Sequence, residues 1–342
     1  MDTVYVALRD RLLASSSSRD GADSSRTTTR LEGCDLECLA GTATRPEQKR
    51  VFVGTFEDGL FRVRGRKPSD LTVERLETDF VSEAVTAVAV SPHDPDVVYA
   101  GTEPSRVYRS TDGGDSWRQL TGLTDLPSAE EWAFPPRPHT HHVRCLAVDP
   151  GDPDRLYVGI EAGAFVYSDD GGETWHERPD GSRRDNHTLA THPDREGRVY
   201  TAAGDGYAVS DDGGEHWDLP QRGLEHTYCW GLAVDPADPE SVIVSSASGA
   251  SRAHTAERAE SYVYRRTDDE SWDRLERGGL PTGEGVVRAV FDTTDEDGVV
   301  YAVNNRGLFV TDDFGDSWEC VGIEWDESLE AQTPRGVLAL PR

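Results

Sequence analysis

The sequence predicts an all-β fold, a seven-bladed β-propeller of four-stranded antiparallel blades, closed by the N- and C-terminal strands in one blade. Three observations carry that prediction. A box recurs at fixed spacing, STDGGDSW at 110–117, SDDGGETW at 168–175, SDDGGEHW at 210–217 and TDDFGDSW at 311–318. Upstream, one order of elements returns: an apolar strand, a DPxDP-type turn and a second strand ending in small residues, as in VRCLAVDPGDPDRLYVGI (143–160). The final repeat supplies only a first strand, whereas the N-terminus opens on a second strand, VYVAL (4–8). Repetition at this period is the mark of a radial array, and joining the two ends in one blade leaves no exposed sheet edge.

Blade 7 combines 336–342 with 1–32, with VYVAL as second strand, RLLAS as third and TTTRLE reaching the fourth around an eroded box, SRDGADSS (18–25). Blade 1 covers 33–78, blade 2 83–121, blade 3 142–179, blade 4 186–220, blade 5 228–276 and blade 6 285–322. Blade 5 keeps a damaged box, TDDESW (267–272). The first strands are placed at Leu36–Ala40, Val85–Val90, Val143–Val148, His187–Thr191, Cys229–Val234, Val286–Phe291 and Val337–Leu340.

The box spacing suits a tight hairpin. Ser110 and Asp112, Ser168 and Asp170, Ser210 and Asp212, and Thr311 and Asp313 would bond back to turn N–H groups. Gly114, Gly172, Gly214 and Gly315 would take positive φ, while Trp117, Trp175, Trp217 and Trp318 pack between sheets. A calcium loop is the alternative for these aspartates, but too few oxygens converge in one box.

Composition narrows the function. The 342 residues carry Lys+Arg 35 against Asp+Glu 64, a formal charge of −29. A polyanionic surface repels phosphate backbones and anionic lipid heads, so nucleic acid and membrane are set aside as partners. Lys49 and Lys67 are the only lysines, leaving 33 cations as Arg, and that pairing of acid excess with scarce Lys resembles a salt-in halophile. With no basic start before an apolar run and no stretch of membrane-spanning length, a cytoplasmic monomer is expected. Cys34, Cys38, Cys145, Cys229 and Cys320 form no Cys-x-x-Cys pair and are read as small buried hydrophobes.

The boxes resemble the Asp box, S/T-x-D-x-G-x-x-W, of bacterial neuraminidase (sialidase) repeats. The resemblance implies a propeller of the sialidase-like, sortilin-like and photosystem II assembly factor group, with the boxes as structural turns facing away from any active site. Sialidase chemistry would need an arginine triad, a Tyr/Glu nucleophile pair, an Asp acid and a Phe/Tyr-Arg-Ile-Pro motif. The nearest string, Phe61-Arg62-Val63-Arg64, lacks the proline and falls in a predicted third strand. Fold likeness alone cannot restore that chemistry.

The candidate site lies on the face opposite the boxes, where both large insertions fall, Thr121–His142 and Ser246–Ser261. The first, EEWAFPPRPHTHHVR (130–144), brings His139, His141 and His142, and His187 and His226 occupy similar places on the next two blades. These imidazoles could hold a divalent metal such as zinc, with His141, His142 and His187 as ligands, or donate to a polar ligand, or cap strand ends. Arg144, Arg288 and Arg335 sit at or before first strands with Glu37, Glu83 and Glu284 nearby, and pairing is the simpler expectation for them. Tyr228 and Trp230 offer aromatic surface for sugar stacking, though Trp230 could equally be core. His93 and His192, in DPxDP-like turns, are given no function.

The favoured function is a binding or scaffold module with a His- and Arg-rich pocket for a small polar ligand, a glycan or a protein. The alternative is a glycoside hydrolase (sialidase-like) or lyase, metal-assisted or not. That alternative requires two of Glu37, Glu83, Glu131, Glu161, Glu225 and Glu284 to approach within about 5–9.5 Å across the channel.

Overall fold

A computed structural model describes residues 2–16, 27–42, 49–267 and 271–341. The eroded box at 18–25 lies outside them, as do residues 268–270 of the damaged one at 267–272. Seven antiparallel sheets stand around a central channel. Their innermost strands are Leu36–Thr42, Val85–Val90, Val143–Val148, Asn186–His192, Tyr228–Asp235, Val290–Thr293 and Gly336–Pro341. Each touches the innermost strand of the next blade, and the last returns to the first, closing a seven-fold ring. In the closing blade Gly336–Pro341 pairs antiparallel with Asp2–Ala7, Thr3 opposite Leu340 and Tyr5 opposite Leu338.

The seam between blades is built from one repeated position on the second strands. Tyr5, Phe52, Tyr99, Tyr157, Tyr200, Ile243 and Tyr301 are all fully buried there. Small residues that follow let the next blade's first strand come close. A Cβ on Gly101 would lie 2.5 Å from Val143 Cγ1, inside van der Waals contact.

The boxes form the expected hairpin at the outer ends of the third strands. Ser110 Oγ accepts from the N–H groups of Asp112 and Gly114, and Asp112 Oδ1 from those of Asp115 and Ser116. Hydrogen bonds from the Ser116 hydroxyl and N–H pull the Asp112 carboxyl down to about 2. The same pattern holds at Ser168/Asp170, Ser210/Asp212 and Thr311/Asp313. Gly214 needs its φ of +90°, and a Cβ there would strike the Phe165 ring at 2.5 Å.

Arginines clamp neighbouring blades through these turns. Buried Arg62 reaches Gly113 O at 2.7 Å and the carboxylates of Glu74 and Asp115, and Arg265 makes the matching contacts to Phe314 O and Asp316. The Phe61–Arg64 string is therefore part of a third strand, Leu60–Arg64, with its first arginine joining blades 1 and 2. On the DPxDP turns His93 Nε2 lies 2.8 Å from Asp149 O of the next blade, and His192 Nε2 lies 3.1 Å from Asp235 O.

Three details differ from the sequence expectation. In blades 3 and 4 the fourth strand shrinks to single bridges, Tyr167 with His176 and Val209 with Asp218. Blade 5 gains a short outer strand, Gly283–Glu284, paired to Glu260–Arg266. In blade 6 the first strand begins at Val290, not Val286. The N–H groups of Val287, Arg288 and Ala289 donate to Asn305 Oδ1, Ala253 O and Ser245 Oγ, so they are taken before the ladder can use them.

Candidate active site in the channel mouth

Five innermost strands carry a β-bulge at the same place. The register skips Glu37, Thr86, Arg144 and His187, and at blade 5 Trp230 with Gly231 opposes a single residue. A bulge re-aims the side chain of its extra residue. Here it turns one residue per blade toward the axis, where Arg335 and Arg288 arrive from the segments preceding the strands of blades 7 and 6. The result is a pocket of about 360 Å³ whose lining includes Glu37, Arg144, Glu161, Asp185, Tyr228 and Arg335.

Both insertions roof it. The first brings Phe134 and Arg137, whose guanidinium stacks 4.8 Å from the rings of Phe56 and Phe134 and forms two hydrogen bonds to Glu103, at 2.7 and 2.5 Å. The second folds into a one-turn helix, α1 (Ala250–His254), that delivers His254 over the channel. His254 contacts Tyr228 OH through Nε2 at 3.1 Å and accepts from Arg288 Nε through Nδ1 at 3.2 Å.

At the centre is a charge network. Arg144 bridges Glu37 at 3.5 Å and Glu161 at 3.7 Å, and Arg335 reaches Glu37 at 3.4 Å. His142 meets Glu161 through Nε2 at 2.9 Å and faces Glu103 at 3.5 Å through Nδ1. The expected arginine–carboxylate pairing thus forms for Arg144 and Arg335. Of the six glutamates weighed, Glu37 and Glu161 line the pocket, whereas Glu83, Glu131 and Glu225 pair with arginines at the exposed surface and Glu284 stands exposed.

The carboxylate that completes the site is Asp185, which the sequence reading passed over. It precedes the blade 4 bulge by two residues, a position that could have drawn notice. Oxygens of Glu161 and Asp185 and a ring nitrogen of His187 lie within 4.8 Å of one another. Asp185 Oδ1 accepts from Ala162 N at 2.8 Å, and Oδ2 faces His187 Nε2 at 3.6 Å. His187 Nδ1 is 2.6 Å from Cys229 O, so Nδ1 carries the hydrogen and Nε2 offers its lone pair to Asp185.

The two carboxyl groups are pushed in opposite directions. Burial opposes ionisation of Glu161, but the hydrogen bond and charge of His142, with the charge of Arg144, hold it below the usual carboxylate range. Asp185 is raised, chiefly by burial, with the nearby charge of Glu161 adding to it. Burial keeps His187 and His254 neutral, lowering both, with Arg288 adding to the effect at His254. Divergent environments of this kind set one carboxyl as anion and its neighbour as acid.

Several expected site residues stand elsewhere. The histidines His141, His142 and His187 do not form a metal set, because His141 turns edge-on to Trp132 and His142 is committed to Glu161. The group that does converge, Glu161, Asp185 and His187, has its glutamate already neutralised by His142 and Arg144, a poor environment for a cation. His139 is exposed on the insertion and is not a lining residue. His226 packs on Tyr262 and bonds Tyr264 OH at 2.6 Å, on the outer part of blade 5. Trp230 is sandwiched among His187, Arg288 and Arg144, with ring distances of 4.2, 4.2 and 4.7 Å, which leaves it no face for a sugar ring. Arg288 is completely buried behind Trp230.

Fold and hairpins together define a seven-bladed β-propeller of the Asp-box type. A BNR/Asp-box repeat model matches residues 166–177. The chain is 24% identical over 264 residues to the oligoxyloglucan-reducing end-specific xyloglucanase of Emericella nidulans, covering 72% of this chain and 25% of that protein. It therefore spans about a quarter of the length of that curated relative. Among solved structures, the GH74 enzyme of Niastella koreensis superposes with a TM-score of 0.65 at 17% identity, covering 94% of this chain and 56% of that one. A structure titled YCF48 bound to D1 peptide superposes with a TM-score of 0.55 at 13% identity, covering 90% and 92% of the two chains. These superpositions report the shared propeller fold.

Proposed function

We propose that the channel mouth is a glycoside hydrolase site acting on an oligosaccharide, with Asp185 as the acid and Glu161 as the anionic partner. The observation that supports it is the carboxyl pair, within 4.8 Å and in opposed electrostatic environments, in a pocket open to solvent. Asp185, with its side chain about a third exposed, protonates the departing glycosidic oxygen. Glu161, fixed by His142 and Arg144, stabilises or captures the positive charge that grows on the sugar carbon. Retaining pairs stand about 5–5.5 Å apart and inverting pairs about 6.5–9.5 Å, and the approach of one oxygen from each group to within 4.8 Å fits the closer spacing, so retention of the anomeric configuration is the outcome to test. Similarity to a xyloglucanase makes xyloglucan oligosaccharides the first substrate to try.

The test is hydrolysis of xyloglucan oligosaccharides and a panel of aryl glycosides at high salt, followed by reducing-end release and proton NMR of the first anomer formed. Glu161→Gln and Asp185→Asn should each lower turnover by about 10²–10⁴-fold; Asp185→Asn should keep the wild-type melting temperature, whereas Glu161→Gln, which takes a buried carboxylate from His142 and Arg144, should lower it. Absence of turnover on every glycan by the wild type would refute the hydrolase reading. A second reading, recognition without turnover, draws support from the full-length superposition on a propeller solved with a peptide and from the tight pairing of Glu161. Ligand binding that is unchanged in Glu161→Gln, with no turnover, would favour it.

A further inference from the structure

Arg288 is the buried group that the proposed chemistry leaves unused. Its side chain has 0% exposure, and neither of its terminal guanidinium nitrogens has a hydrogen-bond partner among the described residues. No described carboxylate comes within ion-pairing distance of it. The side chain's one polar contact among the described residues is Nε to the neutral ring of His254, and its flat face lies 4.2 Å from the centre of Trp230.

The surroundings make this charge harder to hold. Arg144 and Arg335 are close enough to repel Arg288, and their counter-charges, Glu37 and Glu161, are already engaged with them. Three guanidinium groups therefore share two carboxylates, one of which also answers to His142. Buried, uncompensated charge costs several kcal/mol, and a guanidinium does not escape by losing its proton. A bound anion would supply both the missing acceptors and the missing charge, whereas water would supply acceptors alone.

We propose that a small inorganic anion, chloride in a chloride medium, sits on the propeller axis against the terminal nitrogens of Arg288. Its size follows from the location. Arg288 is not on the wall of the 360 Å³ pocket, and α1 seals it in, with Ala253 O accepting from Arg288 N at 2.9 Å and Thr333 Oγ1 donating to His254 O at 2.7 Å. Its sign follows from the donors left over, since Nε of Arg335 and Nε of Arg144, the latter only 3.7 Å from Glu161, also lack hydrogen-bond partners. The anion would neutralise the throat, hold α1 down over the channel and set the positive side of the field in which Glu161 is ionised.

The experiment combines crystallography and unfolding. Crystals grown in sodium bromide should show an anomalous bromine peak within about 3.5 Å of the Arg288 terminal nitrogens. Replacing gluconate by chloride at constant sodium and ionic strength should raise the melting temperature by a few degrees, in proportion to the logarithm of chloride concentration. Arg288→Met, which keeps the length and apolar contact with Trp230, should abolish that chloride-specific rise. If the variant fails to fold, the bromide peak in the wild type decides the question. No peak, together with equal melting in chloride and gluconate, overturns the proposal. Stabilisation by acetate but not chloride, again with no peak, overturns the halide assignment and assigns the site to carboxylates.

Discussion

Asp292 should make this protein less stable as pH rises from 4 to 8, and Asp292→Asn should remove that loss. The residue lies on the innermost strand of blade 6 and accepts at 2.7 Å from Ala339 N on the closing strand, so it stands at the seam that completes the ring. Burial, with little help from neighbouring charge, pushes its carboxyl up from 3.8 to about 7. A group raised in the folded state binds its proton more tightly there than in the unfolded chain. Folding is therefore favoured while both states are protonated and loses ground as pH climbs from the unfolded value to the folded one. Three units at 1.36 kcal/mol each give a loss of about 4 kcal/mol, roughly two-thirds of it between pH 5 and 8. Asparagine keeps the shape and the acceptor oxygen but does not titrate. The assay is denaturant unfolding of wild type and Asp292→Asn at unit pH steps from 4 to 8 in fixed high salt. His187 and His254, buried neutral, act in the opposite sense by weakening the fold as pH drops through about 6.5, so the quantity to plot is the difference between the two proteins. A difference that stays flat across this range would refute the reasoning.

Further expectations concern the blades and the site. Gly214→Ala should cost at least about 2 kcal/mol in the same unfolding assay, from positive φ together with the clash on Phe165, and an unchanged midpoint would contradict the turn geometry. Removing the Arg62 clamp with Arg62→Met should destabilise by about 1–3 kcal/mol, because it strands the buried Gly113 carbonyl at the seam of blades 1 and 2, while the exposed Glu74 and Asp115 carboxylates return to water at little cost. Trp230→Ala should cost about 3–5 kcal/mol and reduce ligand affinity as well, since its ring separates three cationic or imidazole groups. The pH–rate profile of any glycosidase activity should lose its alkaline limb in Asp185→Asn, as expected when the raised carboxyl supplies the proton.

The repeat was legible because its information is local. Ser110, Asp112 and Gly114 make their bonds within one turn, so the box is written in eight consecutive residues and recurs wherever the turn recurs. The same is true of the aromatic and the small residue that follow each other on the second strands. Blade count, strand order and closure by both termini follow from that local text. Where local hydrogen bonds are diverted, as at Val287, Arg288 and Ala289 of blade 6, the strand boundary moved, because the acceptors belong to Asn305, Ala253 and Ser245.

The sequence by itself determined the propeller, its seven units, the face that carries the insertions, and the presence there of His142, Arg144, His187 and Tyr228. Tertiary structure alone decided which of these act together. Ring closure brings one bulged residue from each of several blades to the axis, so Glu161 of blade 3 meets Asp185 and His187 at the start of blade 4, about two dozen residues further along the chain, with no motif joining them. It also decided that Trp230 is walled in by two arginines and an imidazole and that Arg288 is buried without a counter-charge among the described residues. Charge balance in a buried throat is a property of all the groups that meet there, and no local stretch of the chain contains it.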